Sequence, residues 1–234
     1  MAEDLDLETF IRISPVAYGI YLFDTINQKN LYLKELKFNS DINSGDLKNL
    51  DSFISENIFK IEKLAGRFIK NITVIIDHKK ISYTNLGIKK KNYQETVSRK
   101  DFENALVDAK DLFNENFQSD KIIHILLNRY MIGKKNYSSY EDDLIGESFC
   151  IELKFISISK DLVTLISNIL EKYQIKTSHF LDEIYIRNLF HSNFTNISYA
   201  AYKVKRGFNP NEVRLTQRNS KKKGFFEKFF QIFS

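Results

Sequence analysis

The chain has 234 residues, of which 43% are hydrophobic and 28% charged, and its formal net charge is +5. These values fit a globular domain, or a domain with an inserted subdomain, and exclude a disordered chain and a chain made of membrane spans. Cys150 is the single cysteine, which excludes a disulfide framework and a Cys-based metal site. It falls in an apolar run, where we expect a small core side chain.

The first part of the chain predicts three strands, a helix and a fourth strand. The strands are read from alternating or β-branched apolar residues and the helix from apolar residues at helical spacing. These elements cover Phe10–Ile13, Tyr18–Asp24, Leu31–Phe38, Asp46–Arg67 and Ile72–Ile76. Strand Ile81–Tyr83 follows and leads into a polar, Lys-rich stretch at 89–93.

The middle of the chain predicts a helix and two long strands. Ser98-Arg-Lys-Asp101 has the form of a capping box and opens a helix over Ser98–Glu115. Strands are predicted over Ile122–Ile132 and Phe149–Ile158, with an irregular, acidic loop over Gly133–Ser148. After them we expect a helix capped by Ser159, a strand over Phe180–Phe190 and a short helix over Asn196–Val204.

The last eleven residues, Gly224–Ser234, form the most informative segment. Wound as a helix, they place all their apolar side chains on one face and their polar ones on the other. Three lysines precede this helix, and a basic amphipathic helix of this kind is typical of binding to an anionic membrane surface. The predicted membrane-binding residues are Lys221, Lys222, Lys223, Phe225, Phe226, Lys228, Phe229, Phe230, Ile232 and Phe233.

Two alternatives for this tail stay open from the sequence. The helix could pack on the core of its own chain, or the lysines could bind nucleic acid. Nine of the basic residues fall within 201–234 against two glutamates, and the body is slightly acidic. A nucleic-acid binder usually spreads positive charge over a face of its body, so we favour the membrane.

Catalytic and cofactor motifs are missing from the sequence. It contains neither a G-x-G-x-x-G nor a G-x-x-x-x-G-K-[ST] phosphate loop, and its four histidines are far apart in sequence. His124 lies in an apolar run, where we expect a structural role. We therefore predict that the protein is not an enzyme and that it binds no cofactor, metal ion or ATP.

Several segments, in the same order, resemble motifs of FtsA, the actin-like protein that anchors the bacterial division ring to the membrane. The resemblance covers about residues 45–175 and the tail. The segments are Glu62–Gly66 before strand Ile72–Ile76, Ser82–Gly87, Val97–Phe102, Ile122–Ile132 and Asp143–Gly146. The family also carries an amphipathic C-terminal helix after a polar linker, as this chain does.

The resemblance implies an α/β fold: half of an actin-like, ribonuclease H-like lobe with an inserted strand–helix–strand–strand subdomain. The implied organisation is an acidic segment (1–8), a degenerate first-lobe part (9–76), the insert (77–159), the rest of the lobe (160–206), a polar basic linker (207–223) and the membrane helix (224–234). The family's D-x-G-[TS] nucleotide turns are absent. Ile13–Gly19 stands where the first should lie, and the second lobe is missing.

The resemblance also implies a function without catalysis. We expect a membrane-associated scaffold or adaptor on the cytoplasmic face of the bacterial membrane, recruiting cell-division proteins and able to self-associate. The alternative is an adaptor of a pilus or secretion assembly. The expected protein-binding surface is the exposed edge of the insert with its acidic loop, namely Tyr130, Tyr137, Tyr140, Glu141, Asp142 and Asp143. An ordinary solvated loop is the alternative reading of that segment.

Overall fold

The computed structural model describes residues 6–38, 47–93, 95–137, 144–191 and 196–213. These residues form two compact units, each with its own β-sheet. The first unit takes in the chain up to Ile81 together with Ile158–Phe208, and the second takes in Ser82–Ser157 and the residues from Asn209 onward. In chain order the elements are β1 (Leu7–Ser14), β2 (Ala17–Asp24), β3 (Lys29–Lys37), α1 (Lys48–Ala65), β4 (Asn71–Ile76), β5 (Ile81–Lys91), α2 (Arg99–Asn116), β6 (Asp120–Ile132), β7 (Lys135–Tyr137), β8 (Ser148–Ser159), α3 (Lys160–Glu171), β9 (Lys176–Asp182), α4 (Glu183–Phe190) and α5 (Ile197–Lys205).

The sheet of the first unit has, among the described residues, the strand order β3-β2-β1-β4-β9. Strands β1, β4 and β9 run parallel, whereas β2 is antiparallel to both of its neighbours. This order, with the second strand alone reversed, is that of a ribonuclease H-like lobe of the actin-like fold. The predicted fold class is therefore confirmed.

Helices cover both faces of this sheet. The residues of β2 are buried along the whole strand, as are nearly all of β1 and β4, because their apolar side chains face a layer of helices on either side. Helix α1 contacts α3, and helix α4 contacts α5, so that each pair covers one face. The central strands are thus rigidly held, and side chains at their ends are fixed in position.

The second unit is the inserted strand–helix–strand–strand subdomain, with the strand order β5-β8-β6-β7 in its described part. Helix α2 begins with the predicted capping box, in which Ser98 and Asp101 exchange hydrogen bonds. It buries an apolar stripe against the sheet, where the rings of Phe113 and Phe155 stack with centroids 4.9 Å apart. This helix and the inward side chains of β6 and β8 form the core of the unit.

Three element predictions and one helix-cap prediction were wrong. Residues Phe180–Phe190 form the end of β9 and then helix α4, because the Asp182 side chain accepts a hydrogen bond from Tyr185 N and caps the helix. Strand β5 continues to Lys91, well beyond Tyr83, and β7 lies inside the predicted loop. Ser159 does precede a helix, but its side chain makes no capping bond.

Candidate functional site

The parallel strands of the first sheet all end on one side, which we call the carboxyl edge. It comprises Arg12, Asp77, Asp182, Glu183 and Arg187, at or just beyond the ends of β1, β4 and β9. In open α/β sheets ligands bind outside the carboxyl ends of parallel strands. In the family that the sequence resembles, the first nucleotide turn follows β1 at this edge. The carboxyl edge is therefore the place to look for chemistry.

The turn between β1 and β2 is too short to cradle a phosphate. Only Pro15 and Val16 separate the two strands. The Ser14 hydroxyl accepts a hydrogen bond from Ala17 N (3.1 Å) and donates one to Ala17 O (2.9 Å), and proline has no N–H to offer. This turn is left with at most the N–H of Val16 as a free donor, whereas phosphate loops present several converging donors.

A buried ion pair, which we call the Arg12–Glu183 clasp, fills the carboxyl edge. The guanidinium donates from Nε to Glu183 Oε2 (2.7 Å) and from Nη2 to Glu183 Oε1 (2.8 Å). The side chains are 10% and 3% exposed. Arg187 Nε donates a further bond to Glu183 Oε1 (2.7 Å), which places two cations on one buried carboxylate. Such bidentate pairs are among the strongest polar contacts in proteins.

Two further side chains extend the network from the clasp toward β3. Glu35 lies 3.6 Å from the Arg12 guanidinium and accepts a hydrogen bond from the Tyr21 hydroxyl (2.6 Å). Burial, and then the hydrogen bond to Glu35, raises the pKa of Tyr21 far above that of a free tyrosine. Burial lowers the pKa of Arg12, but its bonds to Glu183 outweigh this effect, so that the net pKa is raised and the guanidinium stays charged.

The charge balance at this edge opposes a polyphosphate. Two guanidinium groups face the carboxylates of Glu35, Asp77, Asp182 and Glu183. Burial, followed by the nearby charges of Glu183 and Asp182, raises the pKa of Asp77. The excess of carboxylates would repel the phosphates of a nucleotide. Within the described part of the chain, moreover, no group of three or more acidic, histidine or cysteine side chains could hold a metal ion.

Most of the binding residues predicted from the sequence lie outside the described residues. These are the loop residues Tyr140, Glu141, Asp142 and Asp143, and the tail residues Lys221, Lys222, Lys223, Phe225, Phe226, Lys228, Phe229, Phe230, Ile232 and Phe233. None of the helices in the described ranges is both long and apolar enough to cross a bilayer. The roles of the loop and the tail stay predictions.

Tyr130 lies in the core and not on a partner-binding surface, which corrects the prediction for this residue. Its side chain is fully buried because it points inward from β6, and its ring meets Phe102 edge-on at 5.3 Å. Tyr137 on β7 is partly buried, and its ring lies 6.0 Å from that of Tyr130. Of the two predicted binding residues that the structure describes, Tyr137 alone retains accessible surface.

A later part of the chain pairs with part of β6, in the subdomain whose exposed edge the sequence suggested as a docking surface. Leu127 N donates to Asn211 O and Val213 N donates to Ile125 O, both at 2.8 Å. His124 Nδ1 lies 2.7 Å from Glu212 Oε1, and both side chains are buried. We call residues Asn209–Val213 the clip. The sequence signal for the clip was His124 itself, a polar residue within an apolar run, for which we expected a structural role.

The strand order and the insert define the class of the protein: an actin-like fold with one lobe in the described residues. No family model matches the chain. Among curated proteins, a stretch of 125 residues is 34% identical to the subtilisin-like protease PIMMS2 of Plasmodium berghei (strain Anka). This match covers 52% of the chain but only 14% of that protein, so the chain spans about a seventh of this relative.

Three solved structures are similar at low identity. One is the cytoplasmic domain of EpsL, an inner membrane component of the type II secretion system of Vibrio cholerae (9% identity, TM-score 0.41, 77% of this chain and 59% of that one). Another is the PilM–PilN type IV pilus biogenesis complex (9%, 0.46, 76% and 48%). The third is a Bacteroides thetaiotaomicron protein with actin-like ATPase fold and unknown function (16%, 0.34, 80% and 56%). With TM-scores below 0.5 these similarities add no weight to the fold assignment, which rests on the strand order.

Proposed function

We propose that this chain is a non-catalytic adaptor of actin-like fold that holds protein partners at the cytoplasmic face of a membrane. The observation that carries the proposal is the Arg12–Glu183 clasp. It occupies the carboxyl edge, where an actin-like ATPase would bind its nucleotide, with an internal ion pair. A lobe with this ion pair at its carboxyl edge would keep the actin-like fold but would not bind or hydrolyse a nucleotide.

Opening the clasp to admit a nucleotide would be unfavourable. Each guanidinium–carboxylate contact would have to be broken, and removing one partner of a buried pair costs about 3–5 kcal/mol. A nucleotide bound in half a cleft would regain little of this energy, since the β1–β2 turn offers few backbone donors. These costs support a protein that binds no ATP and catalyses no reaction.

The membrane arm of the proposal rests on the sequence of the tail. Its segregated Phe face supplies apolar area for insertion, and each lysine near an anionic surface contributes about 1 kcal/mol. Reversible, weak attachment of this kind suits an adaptor, because self-association or a membrane-bound partner would strengthen it through avidity. A nucleic-acid-binding tail would use the same lysines but has no need of a segregated apolar face.

We favour a pilus or secretion assembly over cell division as the cellular setting. This was the alternative in the sequence reading. Two of the three similar structures come from secretion and pilus assembly, and none of the three is known as a division protein. Immunoprecipitation of the full chain from its own cells, with mass spectrometry of the bound proteins, tests the choice. Recovery of division-ring proteins in place of assembly components would restore the first reading.

Calorimetric titration with Mg-ATP tests the closed carboxyl edge. We expect no saturable heat up to about 1 mM nucleotide, which corresponds to less than about 4 kcal/mol of binding free energy. An intact actin-like ATPase titrated under the same conditions is the positive control. Micromolar binding of ATP by the wild-type chain would contradict the proposal.

Co-sedimentation with liposomes tests the membrane arm. We expect binding to vesicles that contain phosphatidylglycerol and loss of binding when Phe226→Glu and Phe230→Glu are combined, because two charges then interrupt the apolar face. Gln231→Glu, on the polar face, is the matched control and should weaken binding only slightly. If the double variant sediments like the wild type, the tail is not the anchor. Retention of the tail by nucleic acid but not by vesicles would favour the nucleic-acid alternative.

A further inference from the structure

A groove of about 1310 Å³ lies in the first unit, at the end of the sheet opposite to the carboxyl edge. It is bounded by the first residues of β1 and β4 and by the last turn of α1 with the segment that follows it. Helix α1 ends at Ala65, and its C-cap residue Gly66, which lines the groove, has a left-handed backbone (φ 66°). We call it the amino-end groove.

Two aromatic rings on the wall of the groove are left largely in water. Phe59 is 72% exposed and Phe68 is 81% exposed, although Phe residues are normally buried. They flank the turn at Gly66, so both belong to the same local surface. Exposed aromatic side chains beside a concavity are the usual anchors of protein recognition.

The charges on the groove are unbalanced in favour of cations. Among the described residues, Lys63, Arg67 and Lys70 have no ion pair, and all three are exposed. Lys205 Nζ pairs with Glu8 at 2.8 Å, and Glu62 accepts a hydrogen bond from Ile69 N at 3.0 Å but keeps its negative charge. The lining carries four basic side chains against these two acidic ones, so the net charge of the amino-end groove is positive.

We propose that the amino-end groove binds an acidic, amphipathic segment of a protein partner. Apolar side chains of that segment would cover Phe59 and Phe68, and its carboxylates would meet Lys63, Arg67 and Lys70. The cations line a groove, so the occupant must be narrow enough to enter it. A peptide segment is narrow enough, whereas a bilayer is broad and cannot enter. The basic tail of a second copy has the wrong charge.

The chain's own residues 1–5 are acidic and precede Leu7, which lines the groove. Deletion of these residues is therefore one arm of the test below. The inference extends the proposed adaptor role to a partner of stated chemistry. Its peptide-binding test is separate from the nucleotide titration and from the liposome experiment on the tail variants, since neither of those changes the groove.

Fluorescence anisotropy with a labelled synthetic peptide tests the proposal. The probe has about sixteen residues, with leucines on one helical face and glutamates on the other. A matched peptide carries lysine in place of glutamate. We expect the full chain to bind the glutamate peptide at least about tenfold more tightly than the lysine peptide.

Variants of exposed side chains locate the site. Arg67→Glu combined with Lys70→Glu should weaken binding of the glutamate peptide at least about tenfold, and Phe68→Ala about fivefold. Lys34→Glu, an exposed charge reversal on β3 outside the groove, should leave the dissociation constant within about twofold. Circular dichroism of each variant confirms that the fold is retained.

Four outcomes would overturn the proposal. One is equal affinity for the two peptides, or no saturable binding of the glutamate peptide by about 1 mM. Another is an unchanged dissociation constant in the groove variants. A third is a rise in affinity of more than about tenfold on deletion of residues 1–5, which would make those residues the occupant. The last is loss of vesicle binding in the groove variants with peptide binding intact, which would make the groove a lipid site.

Discussion

Removal of the Glu183 carboxylate is the sharpest test of how the first unit is built. In Glu183→Ala, Arg12 loses both of its short bonds, at 2.7 and 2.8 Å, and its side chain is only 10% exposed in the wild-type structure. Loss of one partner from a buried pair costs about 3–5 kcal/mol. Glu35 remains 3.6 Å from the guanidinium and is partly exposed, so it recovers part of that loss. We therefore expect the lower end, about 3 kcal/mol, a large share of the stability of a typical domain.

Urea denaturation followed by far-UV circular dichroism measures this change, since the sequence has no tryptophan for fluorescence. The double variant Arg12→Met with Glu183→Leu removes both charges together. Because no unpaired charge is then left buried, we expect it to lie within about 1 kcal/mol of the wild type. Arg129→Ala is the control, since that arginine pairs with Glu152 on the surface, at 51% and 42% exposure, and should change stability by less than about 1 kcal/mol.

The reasoning would be refuted if Glu183→Ala lowered the free energy of unfolding by less than about 1 kcal/mol. It would also fail if the double variant were less stable than the single one. Either result would mean that the clasp is not a desolvated pair and that the carboxyl edge is open to water. The clasp would then be no barrier to a nucleotide at the carboxyl edge.

The remaining predictions concern other parts of the fold. Asp77→Asn should raise the melting temperature at pH 7, because the pKa of this carboxyl is raised in the folded state and its negative charge therefore destabilises the fold. The gain should vanish below about pH 3.8, where the wild-type residue is protonated in both the folded and the unfolded state. An equal gain at both pH values would contradict this cause. Gly19→Ala should destabilise by about 1–3 kcal/mol in thermal or urea unfolding, because the new Cβ would lie 2.4 Å from Oη of the buried Tyr21 ring; a neutral result would mean that this ring moves freely. Glu212→Ala should speed hydrogen exchange at the amides of Leu127 and Val213, because the clip loses its bond to His124. Mass spectrometry measures the exchange, with the amides of α2 as internal reference. Unchanged protection would show that backbone pairing alone holds the clip on β6.

The sequence predicted the elements whose apolar pattern is set locally. The runs Tyr18–Asp24 and Ile72–Ile76 become fully buried central strands, and such strands read as continuous apolar stretches. Ser98 and Asp101 define the start of α2 through a bond between near neighbours. The fold class followed from the order of these elements.

The features that were missed depend on distant contacts or on mixed local signals. Strand β5 lies at the edge of its sheet and alternates partly buried and exposed residues, which weakens its apolar pattern. In α4, the β-branched and aromatic residues predicted a strand. The Asp182 cap and the Glu183–Arg187 ion pair stabilise a helix instead.

At the carboxyl edge the sequence predicted the loss of the nucleotide turn but not what replaced it. The partners of the clasp are 171 residues apart, and no local pattern joins Arg12 to Glu183. The same holds for the amino-end groove: Phe59, Lys63 and Arg67 fell within the predicted helix Asp46–Arg67, and no binding role was predicted for them. Charges that pair at long range are set by tertiary structure, so single-sequence reasoning does not find them.

The clip limits how far the second unit could travel from a bilayer. Backbone bonds hold Val213 on β6, and the ten residues 214–223 connect it to the predicted membrane helix, 224–234. Ten residues span at most about 35 Å, whatever their conformation. If the tail inserts, any protein captured by this unit is thereby confined to a thin zone beside the headgroups, and encounters that would be three-dimensional searches become nearly two-dimensional.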